Sequence, residues 1–413
     1  MITMKDSGVE WIGNIPQRWD CRRLYYFVEV LSGYPFDSMR FSNDKGTPLI
    51  RIRDITSGVA ETYYNGDYDD RYLVTDNNLL VGMDGDFNVR WWLGGKALLN
   101  QRCCKVTVKD SLSLRYVYYA LPYHLKRVNE LAYSTTVKHL AVSDITCAFL
   151  PFPTSEEQST IVAYLDQQCD HIDSIIEKTQ KTIEEYKMLK KAVITEAVTR
   201  GVRGQREMKK SKIEWLTEIP SDWKECRIKN VIFPQEKTVN DNDEIITCFR
   251  DGEVTLRKNR REDGYTISFT EHGYHGVDIG DLVIHGMDAF AGAIGCSDSR
   301  GKISPVVHVC HTAGNNRYFM YYLRAMAYGN ILMDLSNGVR IRSSDYRNFA
   351  KLGVYRICVP SLSEQNEIVD YLDKKTVEIE SLIIKKESIC AEMELYKKSL
   401  VYEYVTGKKE VTR

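Results

Sequence analysis

The chain is expected to fold as two mixed α/β blocks joined by two long helices that pair as an antiparallel coiled coil, with pseudo-twofold symmetry overall. Three observations predict this. Two stretches, beginning at Pro153 and Pro360, run for about forty residues without Pro or Gly, the residues that remove a backbone donor or add backbone entropy. Each stretch carries a heptad seam. The segments ahead of them repeat, with Trp11, Ile15, Pro16 and Trp19 falling on Trp215, Ile219, Pro220 and Trp223.

The seams are explicit in the residues. Leu165, Cys169, Ile172, Ile176, Thr179, Ile183 and Tyr186 recur at three- and four-residue spacings, followed one heptad later by Val193 and then Ala197. Leu372, Thr376, Ile379, Ile383, Cys390, Met393, Leu400 and Tyr404 take the matching phase in the second stretch. Forty-five helical residues would reach roughly 65–70 Å, and a seam of that length needs a partner. The chain supplies one, so the expected order is a block over 1–152, a long helix over 153–200, a linker over 201–210, a second block over 211–359 and a second long helix over 360–406. A repeat period of about 205 residues is domain-sized rather than a solenoid unit.

Of the 413 residues 43% are hydrophobic, enough for two or three packed domains, and the formal net charge of -1 neither favours nor excludes nucleic acid. Cys103 and Cys104 are adjacent among 11 Cys, which argues for reduced thiols. With no secretory signal at the start and no apolar run of membrane-spanning length, a soluble cytoplasmic protein is expected.

Along the first block, two Trp around a Pro form a rigid element expected to clamp parts of the molecule together. Asp20 to Leu31 reads as strand or helix. Pro48 to Ile55 alternates apolar and charged residues like a strand with one wet face. Leu79 to Val81 is a strand entering a turn at Gly82-Met83-Asp84, and Ala97–Leu99 and Cys104–Val108 extend the sheet. A helix from Leu114 is expected to stop near Pro122, and Val142 to Phe152 to return as a strand. In the second block Gly286-Met287-Asp288 repeats the turn. The Gly-bearing, charged linker reads as flexible, as does the tail from Gly407.

Catalytic signatures are missing from the sequence. It has no G-x-x-x-x-G-K-[ST] loop, no G-x-G-x-x-G fingerprint and no G-x-S-x-G elbow. His308-Val309-Cys310-His311 is read as a strand with a buried Cys rather than a metal site. Asp84 with Asp86, and Asp278 with Asp281, are read as turn-shaping beside Gly85 and Gly280 rather than as a magnesium site.

Recognition chemistry is present instead. Asn88, Arg90 and Trp91 lie in a loop or hairpin that fits base reading, with Trp91 and Trp92 as core or rim residues the alternative. Asn100, Gln101 and Arg102 bring a similar donor set. Arg51 and Arg53 fit either a reading face or a plain solvated one. Thr135, Thr136 and Lys138 suit phosphate contact. In the second block the candidates are Arg257 and Lys258, in a basic cluster with Arg260 and Arg261, then Asn315, Asn316 and Arg317, and finally Arg340, Arg342, Ser343 and Ser344.

The motif E-W-x-x-x-I-P-x-x-W, at Glu10–Trp19 and Glu214–Trp223, and the motif P-x-x-x-E-Q, at Pro153–Gln158 and Pro360–Gln365, resemble those of the specificity subunit of type I restriction-modification enzymes. The resemblance covers essentially the whole chain, including the Leu49–Ile55 tract, Gly82-Met83-Asp84-Gly85, Leu98–Gln101 and Gly280–Asp288. It implies two target recognition domains, each reading half of a split duplex DNA sequence, with the coiled coil setting the gap between halves. It further implies a non-catalytic subunit that binds no cofactor itself. Its partners would be two modification subunits, methylating adenine with S-adenosylmethionine, and restriction subunits that use ATP and magnesium. A coiled-coil scaffold for protein partners is the competing reading. A fused methyltransferase would need an N-P-P-[YF] or D-P-P-[YF] tetrapeptide, which the sequence lacks.

Overall fold

In a computed structural model, which describes residues 3–109, 112–131, 138–260, 273–333 and 348–411, the chain divides into two units. One comprises Met1–Lys178 with Ile389–Arg413, the other Thr179–Ser388. The long helices run Ser155–Arg200 and Leu362–Val405, so each contributes its two parts to different units.

The first unit is built on a four-stranded antiparallel sheet in the order Val89–Trp91, Leu79–Gly82, Cys103–Val108, Val28–Ser32. Side chains alternate across a strand, which explains the unbroken apolar run Leu79-Leu80-Val81. Leu79 and Val81 join a core with Tyr116, Ala120, Leu165 and Ile172, whereas Leu80 joins a second core with Ile50, Trp92 and Leu99. The neighbouring Cys103 and Cys104 part in the same way, one to each core, and both are free. A five-stranded sheet, Phe41–Ser42, Thr62–Tyr64, Thr47–Ile50, Ala97–Leu99, Leu73–Val74, backs the second core. Ala97–Leu99 and Cys103–Val108 therefore belong to different sheets.

The second unit repeats this plan. Ile294–Cys296, Leu282–His285, Val307–Thr312 and Ile232–Pro234 pair antiparallel in the corresponding order. Leu282 and Ile284 face the helical side, and Val283 the opposite core. Asn316–Tyr328 is its helix, answering Leu114–Leu131 of the first unit.

Within each unit the long-helix segments pack antiparallel. In the first, Tyr164 meets Tyr404 at 4.6 Å between ring centroids, Asp173 pairs with Lys397 at 2.6 Å, and Cys390 Sγ lies 4.0 Å from the Ile176 carbonyl. In the second, Lys190 pairs with Glu380 at 2.6 Å and Arg203 with Glu367 at 2.6 Å. The seam residues Leu165, Ile172, Ile176, Ile183, Leu372, Ile379 and Ile383 are buried.

The repeated motifs prove to be the fastening of each unit to its helices. Trp19 Nε1 donates to Glu157 and Trp223 Nε1 to Glu364, both at 3.1 Å. Gln158 donates to the Pro153 carbonyl at 3.0 Å and accepts from Ser113 N at 2.8 Å; Gln365 does the same with Pro360, at 3.0 Å, and Asn315 N, at 2.9 Å. Tyr116 and Tyr318, both fully buried, donate to Pro151 and Val405 and to Cys358 and Val198 respectively. A further lock joins Arg115 and Tyr119 to Asp166, and Arg317 and Tyr321 to Asp373.

Four expectations are corrected. The 201–210 segment is docked rather than flexible: Arg206 pairs with Glu364, and Met208–Lys210 pairs as a strand with Glu218–Pro220. Gly201, at φ +81°, ends the first long helix where a Cβ would fall 2.9 Å from Glu364 and 3.3 Å from Trp223. The tail is held as well, by Lys408 on the Ile12 carbonyl at 2.7 Å and by Glu410 on Arg18 at 2.6 Å. The helix from Leu114 continues through Pro122 to Leu131. Leu125 is buried beyond the proline and Tyr123 Oη donates to the Lys398 carbonyl at 2.5 Å, so tertiary contacts outweigh the missing donor. Finally, Val142–Thr146 is a short helix, and only Phe149–Phe152 is strand.

Candidate nucleic-acid interface

A protein that reads DNA must present side-chain donors that its own fold has not already consumed. That criterion divides the candidates sharply.

In the first unit a polar rim forms where several chain segments meet at one end of the four-stranded sheet. Gly82 N bonds the Asn88 carbonyl at 2.9 Å, Met83 N the Arg102 carbonyl at 2.9 Å, and Leu140 N the Met83 carbonyl at 2.7 Å. Asn100 N bonds the Ile50 carbonyl at 3.3 Å, bringing Arg51 beside the Asn100-Gln101-Arg102 turn. These backbone bonds thus gather Arg51, Asn88, Asn100, Gln101, Arg102 and His139. The Arg51, Gln101 and Arg102 side chains are exposed. Asp84 binds His139 Nδ1 at 2.8 Å and Arg102 Nη1 at 3.4 Å through the same oxygen.

Other candidates in this unit have different surroundings. The run Pro48–Ile55 is not one strand: Thr47–Ile50 is followed by a turn into the short helix Asp54–Ser57, so Arg51 and Arg53 do not share a strand face. The cause is Asp54, which turns inward and accepts from Arg51 N at 2.8 Å. Burial raises the pKa of its carboxyl against that bond and the nearby Arg53. Arg53 lies between Asp54, at 3.5 Å, and Glu61, at 3.3 Å. Asn88 and Arg90 flank a hairpin whose strand Val89–Trp91 leaves Arg90 exposed, bonded only to the Val89 carbonyl at 3.1 Å among the described residues. Trp91 instead packs against Tyr118 and beneath Arg115, 5.4 Å from its ring, while Trp92 is buried with Nε1 on the Gly95 carbonyl at 2.7 Å. Both tryptophans serve the fold. Lys138 is also spent internally, on the carbonyl and side-chain oxygens of Asn129, each at 2.7 Å. Thr135 and Thr136 lie outside the described residues.

The second unit corrects more of the candidates. Asn315 caps the helix Asn316–Tyr328 by accepting from Arg317 N and Tyr318 N. Asn316 bridges Thr312 and the Gly280 carbonyl, both at 2.8 Å, and Arg317 is taken up by Asp373 at 2.6 Å. All three hold the helix in place. In the basic cluster Lys258 pairs with Glu244 at 2.6 Å, while Arg260 pairs with Asp251 at 2.7 Å and Glu253 at 2.8 Å. Arg257 donates to Thr247 at 3.3 Å. Lys258 and Arg260 are therefore balanced locally by acidic side chains. Arg261, Arg340, Arg342, Ser343 and Ser344 lie outside the described residues.

One side chain in this unit was missed from the sequence. Arg250, 72% exposed, sits in the hairpin turn between Ile246–Cys248 and Val254–Leu256 and reaches Asp288 at 2.8 Å. The repeated Gly-Met-Asp tract was the available signal, because it marks Asp288 as the counterpart of Asp84.

The acidic pairs shape structure. Asp281 accepts from Asp278 N at 2.8 Å, and Lys237 joins both carboxylates. Lys237 and then Arg300 hold the Asp278 carboxyl below the usual range. In the His308–His311 tract, Cys310 is buried, His308 packs on Phe349 and His311 on Phe233.

Comparison with known proteins bears directly on this arrangement. The family described as type I restriction modification DNA specificity domain matches residues 16–185. The type I restriction enzyme EcoBI specificity subunit of Escherichia coli is 36% identical over 274 residues, covering 62% of this chain and 58% of that protein. The type I restriction enzyme MjaVIII specificity subunit of Methanocaldococcus jannaschii is 24% identical over 220 residues, covering 53% and 50%. The matched region thus spans little more than half the length of these relatives. A solved chain, from work on complex assembly and conformational transition of the type I R-M system, superposes with a TM-score of 0.65 at 14% identity over 96% of this chain and 99% of that one. At that identity the likeness establishes the fold. The DNA specificity domain thus matches part of this chain, and the relatives it resembles are type I specificity subunits.

Proposed function

We propose that the chain is the sequence-reading subunit of a type I restriction-modification complex, each unit recognising one half of a split duplex target. The observation that carries this reading is one scaffold built twice with different side chains at the same sheet end. The first unit offers Arg51, Asn88, Gln101, Arg102 and His139, and the second offers Arg250. Phosphate contacts would fix register, and guanidinium and amide groups would discriminate base edges in the major groove. A protein-binding scaffold would have no need of such convergent donors.

In this reading the subunit is non-catalytic and cytoplasmic and holds no cofactor. S-adenosylmethionine, ATP and magnesium belong to two modification subunits and to the restriction subunits. Support for a pair of like partners comes from matching exposed apolar residues on the long helices. Met188 and Leu189 on the first, and Leu395 and Tyr396 on the second, occupy equivalent positions of the repeat. No helix among the described residues is long and apolar enough to cross a membrane.

The test is methylome sequencing of cells expressing the chain with its methyltransferase partner. A split adenine motif is expected, abolished by deleting either recognition block. Methylation unchanged by the deletions would overturn the proposal.

A further inference from the structure

The Gly-Met-Asp tract is among the few short sequences kept in both blocks, yet it belongs to neither the clamp nor the helix seam. Its carboxylates do the same thing from different surroundings. Asp84 follows the strand Leu79–Gly82 and engages Arg102 and His139, which come from two other segments of the first unit. Asp288 follows Leu282–His285 and takes Arg250, whose Nε and Nη2 lie 3.2 and 2.8 Å from a single oxygen. The partners are not sequence equivalents: Arg102 precedes the strand Cys103–Val108, whereas Arg250 sits in the turn of a separate hairpin. The sheet registers also differ by one residue, since Gly82 lies opposite Cys103 but His285 opposite Val307. What survives these differences is a carboxylate against an exposed guanidinium, through two nitrogens at 3.2 and 2.8 Å in the second unit and through one at 3.4 Å in the first.

Such pairs add little to folding. Arg102 is 53% exposed and Arg250 more so, and solvent screens ion pairs this wet almost completely. A carboxylate at a rim facing a polyanion also weakens attraction to phosphate. Its use lies in geometry. A guanidinium held along one side by a fixed carboxylate loses its freedom to roll and keeps donors for a bidentate contact to a purine edge.

We infer that Asp84 and Asp288 are positioning residues for base recognition, aiming Arg102 with His139 in the first unit and Arg250 in the second. The inference rests on the DNA-reading function proposed above.

The experiment uses the full chain and a randomised duplex pool. Bound DNA is selected and sequenced for the parent, Asp84→Asn, Asp288→Asn and Asp84→Glu, and affinity for unselected random duplex is measured at one salt concentration. Asp84→Asn is expected to lower the preference at one or two base pairs of one half-site by about 5- to 100-fold, the range of a single bidentate base contact. The other half-site should remain intact, which also reports that the variant is folded. Asp288→Asn should do the converse. Affinity for random duplex should hold or rise, because a negative charge has been removed. Asp84→Glu should recover part of the lost preference. A purely structural role would weaken both readouts together, and that result overturns the inference. So does an unchanged motif in both Asn variants, while leaving DNA reading intact. No motif selected by the parent chain would instead remove the functional reading itself.

Discussion

Replacing Glu364 by Gln puts a number on the fastening between the second unit and its helix. The Glu364 side chain is 1% exposed, accepts from Trp223 Nε1 at 3.1 Å and pairs with Arg206, which also reaches Asp222 at 2.6 Å. Gln keeps the shape and an acceptor for the indole but removes the charge. The loss is therefore that of a charge-assisted bond at a buried site, about 2 kcal/mol. The counterpart Glu157 supplies an internal standard, since its side chain is 23% exposed and its partner Arg18 is 52% exposed. Solvent screening reduces that pair to about 1 kcal/mol or less. Two units sharing two helices need not unfold in one step, so the measurement should be local. Hydrogen exchange over peptides spanning Ile213–Trp223 should quicken by roughly 30-fold in Glu364→Gln, and over Trp11–Trp19 by no more than about 5-fold in Glu157→Gln. A second-unit change below about 3-fold, or equal effects in the two units, would refute the claim that burial sets the strength of this clamp.

The remaining predictions follow from the same charges and burials. Lys258→Ala and Arg260→Ala should each change affinity for random duplex by less than about twofold, because Glu244, Asp251 and Glu253 already balance them. Arg90→Ala should cost discrimination between a selected sequence and random duplex in competition binding; equal losses on both would exclude Arg90 as a base reader. Burial raises the Glu157 pKa, but Trp19, the Thr154 backbone and Arg18 together hold it below the usual glutamate range. A depressed carboxyl contributes full stability above its unfolded pKa, about 4.3, and loses it as pH falls through the folded value. Exchange over Trp11–Trp19 should accordingly accelerate only below about pH 4. With a thiol reagent at pH 8, exposed Cys147 should react in the native chain, whereas Cys104 and Cys358, both pushed up to about 12 by burial, should wait for denaturant.

The sequence by itself determined the long helices, their seams and the duplication. Apolar spacing along a helix and the absence of Pro and Gly are local properties, and a repeat needs only the chain compared with itself. It also marked Trp19, Trp223 and the two Glu-Gln pairs as important, although not what they do. Tertiary structure decided that these motifs fasten each unit to its helices, that Pro122 lies inside a helix, and that the segment after Gly201 is docked. It also decided which acceptor each cation meets. Asn315, Arg317, Lys138 and Lys258 look in sequence like Gln101 and Arg102, but a donor's availability depends on acceptors far away in the chain: Asn366 and Asp373 lie 51 and 56 residues from theirs. Arg250 shows the converse, because the carboxylate that steadies it is 38 residues distant. Hydrogen-bond partnership across such separations is fixed only when the sheet registers and helix contacts are, which is why the scaffold was legible in the residues and the partners of its polar side chains were not.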